Sequence, residues 1–170
     1  MLSEAEQFLS RPEVVSLNKS KLYYATKICT FSFNKLEIEI EEAYVNESKR
    51  GQISTGINPE LRRLYASAAP ILVNPMGKYI RLNWKLYAAY CVTEELVGSC
   101  GHHAEEQFKG SVLRVYEKSN FLIHLGRDTG GHTGDLKHIK LITLNHLIDI
   151  AFYDWPEVVQ ISPEEQLPVF

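Results

Sequence analysis

The chain has 170 residues, a formal net charge of −3 and 45% hydrophobic residues, which is ordinary for one folded domain. These values exclude a disordered or fibrous chain. The small negative charge gives no reason to expect nucleic-acid binding, which depends on the neutralisation of phosphates. All six histidines lie between His102 and His146, so histidine chemistry would have to come from the second half of the chain.

The cysteines and the hydropathy pattern bear on the cellular compartment. Cys29, Cys91 and Cys100 show no C-x-x-C spacing, which argues against a disulfide framework or a thiolate zinc site. The first residues do not resemble a signal peptide, and no apolar run is long enough to cross a membrane. We therefore expect a cytoplasmic protein without membrane association.

A short helix and a pair of strands are the first predicted elements. Residues 2–9 begin with Ser3, and Glu6 follows it at the spacing of a capping box. Residues 28–33 and 36–41 have the β-branched and aromatic composition of two strands. The second strand alternates apolar residues with a polar face that we expect to be solvated, formed by Glu37, Glu39 and Glu41.

The middle of the chain combines a polar loop, a helix and a long alternating segment. Residues 46–57 are polar with two glycines and predict an exposed loop. Asn58 and the proline after it are typical of a helix start, and that helix should end near residue 69. Residues 79–92 place apolar side chains at every second position, which predicts a strand too long to run without a bend, a bulge or a crossing between sheets. The alternative is a helix over residues 84–97.

Beyond residue 98 the pattern predicts a loop at 98–110 and a hairpin of two strands at 112–117 and 121–126. A glycine-rich loop at 127–135, a strand at 138–142 and a helix at 144–152 follow. An acidic, partly mobile tail follows from about residue 157. Such an order of elements does not give the regular alternation of a parallel sheet. It predicts a single α+β domain over residues 1–170, with a curved, mostly antiparallel sheet or half-open barrel and two to three helices.

Two polar loops carry the residues with the clearest chemistry. Imidazole and carboxylate groups are ligands for divalent transition metals, so a metal site is predicted if the sheet brings the two loops together. Its candidate ligands are His102, His103, Glu106, His132 and His138. The glycine-rich loop alone can bind a ligand through charged and titratable side chains. Its candidate residues are Arg127, Asp128, His132, Asp135 and His138.

The order of histidines, glutamate, hairpin, glycine-rich turn and further histidine resembles that of metal-binding β-barrels of the cupin kind. The chain lacks the spaced H-x-H of that family and the proline before its later histidine, so we assign no family. Of the other histidines, His124 is expected in a hairpin strand as a hydrogen-bonded side chain. His146 is expected in the first turn of the last helix, where it forms a surface pair with Asp149.

The absence of a nucleophile motif, the acidic C-terminal part and the exposed loops favour a non-catalytic binding domain that recognises a protein or a small ligand. The alternative is a histidine-based, metal-assisted hydrolase or isomerase with its site at residues 100–106 and 127–138. Such an enzyme would take a divalent transition metal as its cofactor. The sequence identifies neither the partner nor the oligomeric state.

Overall fold

A computed structural model of the chain describes residues 2–20, 22–52, 60, 66–95, 105–131 and 133–161. Within these residues, two antiparallel five-stranded sheets pack with three α-helices into one small domain. The predicted α+β class with mostly antiparallel strands is confirmed, and the sheets do not close into a full barrel. The helices are α1 (Glu4–Leu9), α2 (Pro12–Lys19) and α3 (Asn120–Asp128), with a short 3₁₀ helix at Glu47–Lys49.

The first sheet has the strand order β1-β2-β4-β10, and β3 pairs with the end of β2. Its strands are β1 (Tyr23–Phe31), β2 (Lys35–Val45), β3 (Ile71–Val73), β4 (Tyr79–Trp84) and β10 (Glu157–Ile161). The second sheet has the order β5-β9-β8-β7-β6. Its strands are β5 (Tyr87–Glu94), β6 (Gln107–Lys109), β7 (Leu113–Lys118), β8 (Lys137–Ile142) and β9 (His146–Phe152).

The hydrophobic core lies between the two sheets. Alternate residues of each strand point inward because side chains of a strand alternate between its two faces. The central inward residues are at most 2% exposed: Leu36, Ile38, Ile40, Ile80 and Leu82 from the first sheet, and Leu113, Ile139, Leu141, Ile148 and Ile150 from the second. The N-terminal helices add Phe8, Val14 and Leu17 to the same core.

The predicted N-terminal helix is confirmed as α1. Ser3 and Glu6 form the predicted capping box. Pro12 does not only end this helix, since it also begins α2, a position that suits its fixed φ angle. Phe8 stacks on Trp155 with ring centroids 4.6 Å apart, so α1 is held against the chain that leads into β10.

The alternating segment 79–92 crosses from one sheet to the other, as its length predicts. It forms β4 in the first sheet and β5 in the second, with a break at Lys85 and Leu86. The alternative helix over residues 84–97 is wrong, because Tyr87–Glu94 pairs with β9 along its length. This crossing joins β4, which lies between β2 and β10 in the first sheet, to the end strand of the second sheet.

Two predicted elements in the second half are wrong. The predicted hairpin strand at 121–126 is part of α3, and Ser119 caps this helix by accepting a hydrogen bond from Leu122 N. The predicted helix at 144–152 is the strand β9. It packs on both of its faces, since Ile150 and Ala151 are both 0% exposed, and this hides the two-residue period.

Three further predictions concern the C-terminal tail, the helix at 58–69 and membrane association. The tail expected from residue 157 is wrong at its start, where Glu157–Ile161 form β10. The predicted helix at 58–69 lies mostly outside the described residues. None of the helices in the described ranges has both the length and the apolar character needed to cross a membrane.

The glutamate face of β2 is only partly solvated, because Glu39 is 5% exposed. Its carboxylate accepts hydrogen bonds from the Tyr79 hydroxyl and from Arg81 Nε, the latter at 2.9 Å, and Arg81 Nη2 lies 2.8 Å from the same oxygen. Lys27 Nζ lies 3.4 Å from the same carboxylate. Burial alone would raise the pKa of Glu39, but the hydrogen bonds from Tyr79 and Arg81 and the charge of Lys27 lower it below its ordinary value of 4.5.

The lowered pKa predicts an acid-sensitive contribution to stability. Glu39→Gln should reduce the free energy of unfolding by about 1–3 kcal/mol at pH 7, because Arg81 loses its charged acceptor. The folded pKa of Glu39 lies below the unfolded one, so this contribution is present above pH 4.5 and is lost as the pH falls towards the folded pKa.

Urea unfolding of both proteins between pH 7 and pH 3 measures this. The difference between them should shrink in acid, whereas Glu157→Gln, on the exposed edge of β10, should behave like the wild type. A difference between wild type and Glu39→Gln that stays constant down to pH 3 would contradict the prediction.

Candidate functional site

The predicted metal ligands divide into two groups. Three lie outside the described residues: His102, His103 and His132. The other two, Glu106 and His138, both reach the N-terminus of α3. Glu106 Oε1 accepts a hydrogen bond from Asn120 N at 3.1 Å, and His138 contacts Ser119, the residue before it. The described parts of the two predicted loops therefore meet at one helix end.

His138 lies on the outer face of the second sheet beneath α3 and is 1% exposed. Its Nδ1 is 2.8 Å from Ser119 Oγ, and its Nε2 is 2.9 Å from Asp149 Oδ1. The ring stacks on Tyr116 at a centroid distance of 4.3 Å and contacts Phe121 at 5.1 Å. Both ring nitrogens are thus engaged, which leaves neither of them for a metal ion in this arrangement.

One arrangement of protons satisfies the hydrogen bonds of this network. Ser119 Oγ accepts from Leu122 N at 3.0 Å as the helix cap. The Ser119 hydroxyl is then available to donate to His138 Nδ1, and the proton on Nε2 is donated to Asp149. One serine hydroxyl therefore both begins α3 and attaches it to the sheet.

Lys140 balances the charge of Asp149. Its Nζ is 3.1 Å from Asp149 Oδ1, the oxygen that also accepts from His138. Burial would lower the pKa of Lys140, but the Asp149 carboxylate outweighs it and raises the pKa. Lys140 therefore stays charged, and the carboxylate beneath α3 has a cationic partner.

The hydrogen-bonded chain has the same order of groups as a catalytic triad, with the serine Ser119, the imidazole His138 and the carboxylate Asp149. A catalytic serine must present its oxygen to a substrate. Ser119, however, is 7% exposed and its oxygen already caps α3. The arrangement instead satisfies buried polar groups and fixes the position of the helix.

The remaining candidate ligand residues lie on the surface. Arg127 and Asp128 are exposed at the C-terminal end of α3, and Asp135 is exposed in the turn before β8. His124 is also exposed on α3, with Nε2 3.5 Å from Asp128 Oδ2, so its predicted place inside a strand is wrong. The structure brings none of these four side chains to His138.

The glycine-rich segment ends a helix. Gly131 N donates to Gly126 O at 2.8 Å, and both Gly130 and Gly131 have positive φ angles of 65° and 94°. This is a conformation that glycine adopts without strain and that commonly closes an α-helix. The glycine signal noted in the sequence is thus explained by the C-terminus of α3.

No group of three or more histidine, cysteine, aspartate or glutamate side chains that could hold a metal ion occurs within the described ranges. The metal-assisted enzyme and its divalent cofactor stay a prediction that depends on residues outside those ranges.

His146 is a strand residue rather than the helix residue predicted, and it faces the core side of β9 opposite Glu94. Its Nδ1 is buried without a hydrogen-bond partner among the described residues. An open cleft of about 720 Å³ adjoins it. The cleft is lined by Val92, Glu94, Glu95, Leu144, Asn145 and His146. The core side of β5 is therefore open at this end.

The outer edge of β5 is the most distinctive surface of the fold. β5 pairs with β9 on one side, and none of the described strands pairs with its other side. Tyr90 and Val92 lie opposite Ile150 and Ile148 and therefore point to the core side. They are nevertheless 38% and 39% exposed, while both isoleucines are 0% exposed. The hydrophobic layer thus extends one strand beyond the part of the core that is covered.

The other sheet ends carry features that hinder strand pairing. β1 has a bulge between Ala25 and Lys27. The Asn145 side chain binds both backbone groups of Ala25, at 2.9 Å and 2.8 Å. β6 has three residues, and β10 begins with Glu157. β5, by contrast, contains no charged residue before Glu94 and pairs regularly with β9 from Ala89 onward.

Sequence reasoning placed this strand but missed its position at an edge. The uncharged run from Tyr87 to Thr93 is typical both of a central strand and of an unprotected edge strand. Only the order in which the strands pair shows which of the two it is.

A scan against family models matched none of them, and searches of curated proteins and of solved structures found no match to this chain.

The network beneath α3 predicts that Ser119 stabilises this helix. Ser119→Ala should lower the free energy of unfolding by about 2 kcal/mol, because it removes the helix cap and leaves His138 Nδ1 without its partner. Chemical denaturation measures the loss, and hydrogen exchange should localise the lost protection to Asn120–Asp128. Ser32→Ala, in the exposed hairpin turn, is the control. Unchanged exchange in α3 would refute the assignment.

Proposed function

We propose that the protein is a non-catalytic interaction domain that binds an extended segment of a protein by strand addition at β5. The observation that supports this is the edge of β5, which none of the described strands pairs with and which is uncharged from Tyr87 to Thr93, with two half-covered apolar side chains, Tyr90 and Val92, on its core side. An edge strand presents a row of backbone donors and acceptors, and an added strand satisfies them.

The chemistry of the edge defines the ligand. Backbone hydrogen bonds supply affinity for any extended chain, while Tyr90 and Val92 favour apolar side chains at alternate positions of the bound strand. The cleft at the Glu94 end offers two carboxylates, from Glu94 and Glu95, which favour a cationic residue at that end of the segment. The proposed ligand is thus an extended, alternately apolar peptide with a basic residue near one end.

The proposal includes a cytoplasmic location, where thiols such as Cys29 and Cys91 stay reduced. It does not include nucleic acid, because the net charge of −3 gives no field that attracts phosphate.

A peptide-display selection tests the function. The wild-type chain, immobilised at low density so that its molecules stay apart, should enrich alternately apolar peptides. Val92→Lys should weaken their binding by about tenfold or more, since desolvating an ammonium group against the apolar side chains of the added strand costs more than the ~1.4 kcal/mol that corresponds to tenfold.

Val159→Lys is the matched control. Val159 is 38% exposed on β10 of the other sheet, so it adds the same charge at similar exposure on a different edge. This variant should bind the selected peptides like the wild type. The proposal fails if no peptide family is enriched, or if Val92→Lys and Val159→Lys bind the selected peptides equally well.

A further inference from the structure

We infer that the strand added to β5 is β5 of a second copy of this chain, in antiparallel orientation and centred on Cys91. This inference rests on the proposed strand-addition function and names its occupant. The result is a dimer in which the second sheets of two chains form one continuous ten-stranded sheet.

The charge pattern selects the antiparallel orientation. Glu94 is the only charged residue of β5. A parallel, in-register pair would place the two Glu94 carboxylates directly opposite each other, which is unfavourable for a cross-strand pair. An antiparallel pair moves them to opposite ends of the joined strands. It also has the two-fold symmetry of the commonest homodimer interface.

The alternation of faces restricts the register. Residues opposite each other in an antiparallel pair point to the same side of the sheet. The core side of one copy therefore continues into the core side of the other only if the centre of the pair is a residue that lies opposite the same residue of the second copy. Centring on Val92 would bring Glu94 opposite Tyr90, and centring on Tyr90 would bring Glu94 opposite Leu86, so both place a carboxylate against a large apolar side chain.

Centring on Cys91 avoids this conflict. Glu94 then lies opposite Ala88, and Tyr90 of each copy lies opposite Val92 of the other. Pairs of an aromatic and a β-branched residue are favourable across strands. The two pairs would cover the side chains that are 38% and 39% exposed in the single chain.

The hairpin turn between β1 and β2 sets one end of the proposed strand contact and adds apolar surface beside it. Tyr87 N donates to Asn34 O at 2.9 Å, so the turn marks where the accessible part of β5 begins. Phe33 in this turn is 87% exposed, and it adds apolar surface beside the end of the second copy's strand. A contact of one strand pair and a turn is smaller than a standard interface, so dissociation constants on the order of micromolar are expected.

Cysteine crosslinking provides the test of register. Opposed residues of an antiparallel pair have Cα atoms about 4.5–5.5 Å apart, which lies within the range of roughly 4.4–6.8 Å that a disulfide spans. A chain that keeps only Cys91, with Cys29→Ser and Cys100→Ser, should form covalent dimers under mild oxidation. A matched chain that keeps only Cys29, with Cys91→Ser and Cys100→Ser, should crosslink at least tenfold more slowly.

Sedimentation equilibrium of the wild-type chain under reducing conditions provides an independent readout. It should show a dimer that Val92→Lys dissociates and Val159→Lys preserves. Introducing Val92→Lys into the chain that keeps only Cys91 should slow its crosslinking to the rate of the Cys29 chain.

The outcomes separate the two proposals. A dimer that dissociates in Val92→Lys and crosslinks through Cys91 supports the self-pairing, whichever peptides are selected. A chain that stays monomeric at millimolar concentration but still enriches peptides overturns the self-pairing and leaves the strand-addition function intact. A monomeric chain that enriches none overturns both. A dimer that Val92→Lys leaves unchanged, or equal crosslinking through Cys29, also overturns the self-pairing.

Discussion

The shared core of the two sheets is the constraint on which the rest of the molecule depends. Neither sheet can bury its inner face alone, so Ile38 and Ile40 of the first sheet must pack with Ile148 and Ile150 of the second. The chain meets this requirement by passing from β4 directly into β5 at Lys85. β4 is paired on both sides, by β2 and β10, whereas β5 is the end strand of the second sheet and lies at the margin of the core.

The exposure of β5 follows from its place at the end of the second sheet. None of the described strands continues the layer beyond it, so Tyr90 and Val92 are exposed although they continue the row of buried isoleucines. The proposed interface is in this sense a consequence of the fold, since a further strand at β5 would extend the same hydrophobic layer. The polar network of His138 contributes nothing to this edge, because it lies on the opposite face of the sheet beneath α3.

Local signals in the sequence were sufficient where a few neighbouring residues determine the structure. The capping box of Ser3 and Glu6 and the alternation of β4 and β5 are of this kind. The sequence was insufficient where the surroundings decide. The mostly apolar segment from Phe121 to Leu125 fits a strand or one face of a helix, and in the structure it is a helix that Ser119 caps and attaches to His138. β9 lost its two-residue period because residues on both of its faces are buried, as Ile150 and Ala151 show.

The same limit applies to the candidate site. His138 was predicted as a metal ligand or ligand-binding residue, and that role stays a prediction. Its partners Ser119 and Asp149 come from a helix cap and from the register between β8 and β9. Neither contact joins residues at a fixed separation in the sequence, so no sequence pattern reveals it. Whether a strand lies at an edge is likewise a property of pairing order.

An unprotected edge must be reconciled with the protected ones around it. The bulge and the Asn145 side chain close β1 to further pairing, so the fold contains the means to block an edge and applies them at β1. The edge of β5 carries no charge from Tyr87 to Thr93, and none of the described strands pairs with it, so it exposes backbone groups that would pair with any extended chain. Association with unselected chains leads to aggregation, and a specific strand bound at this edge would prevent it, as the proposed function describes. The residues that would receive that strand, Tyr90 and Val92, are also the ones left half-covered by the core.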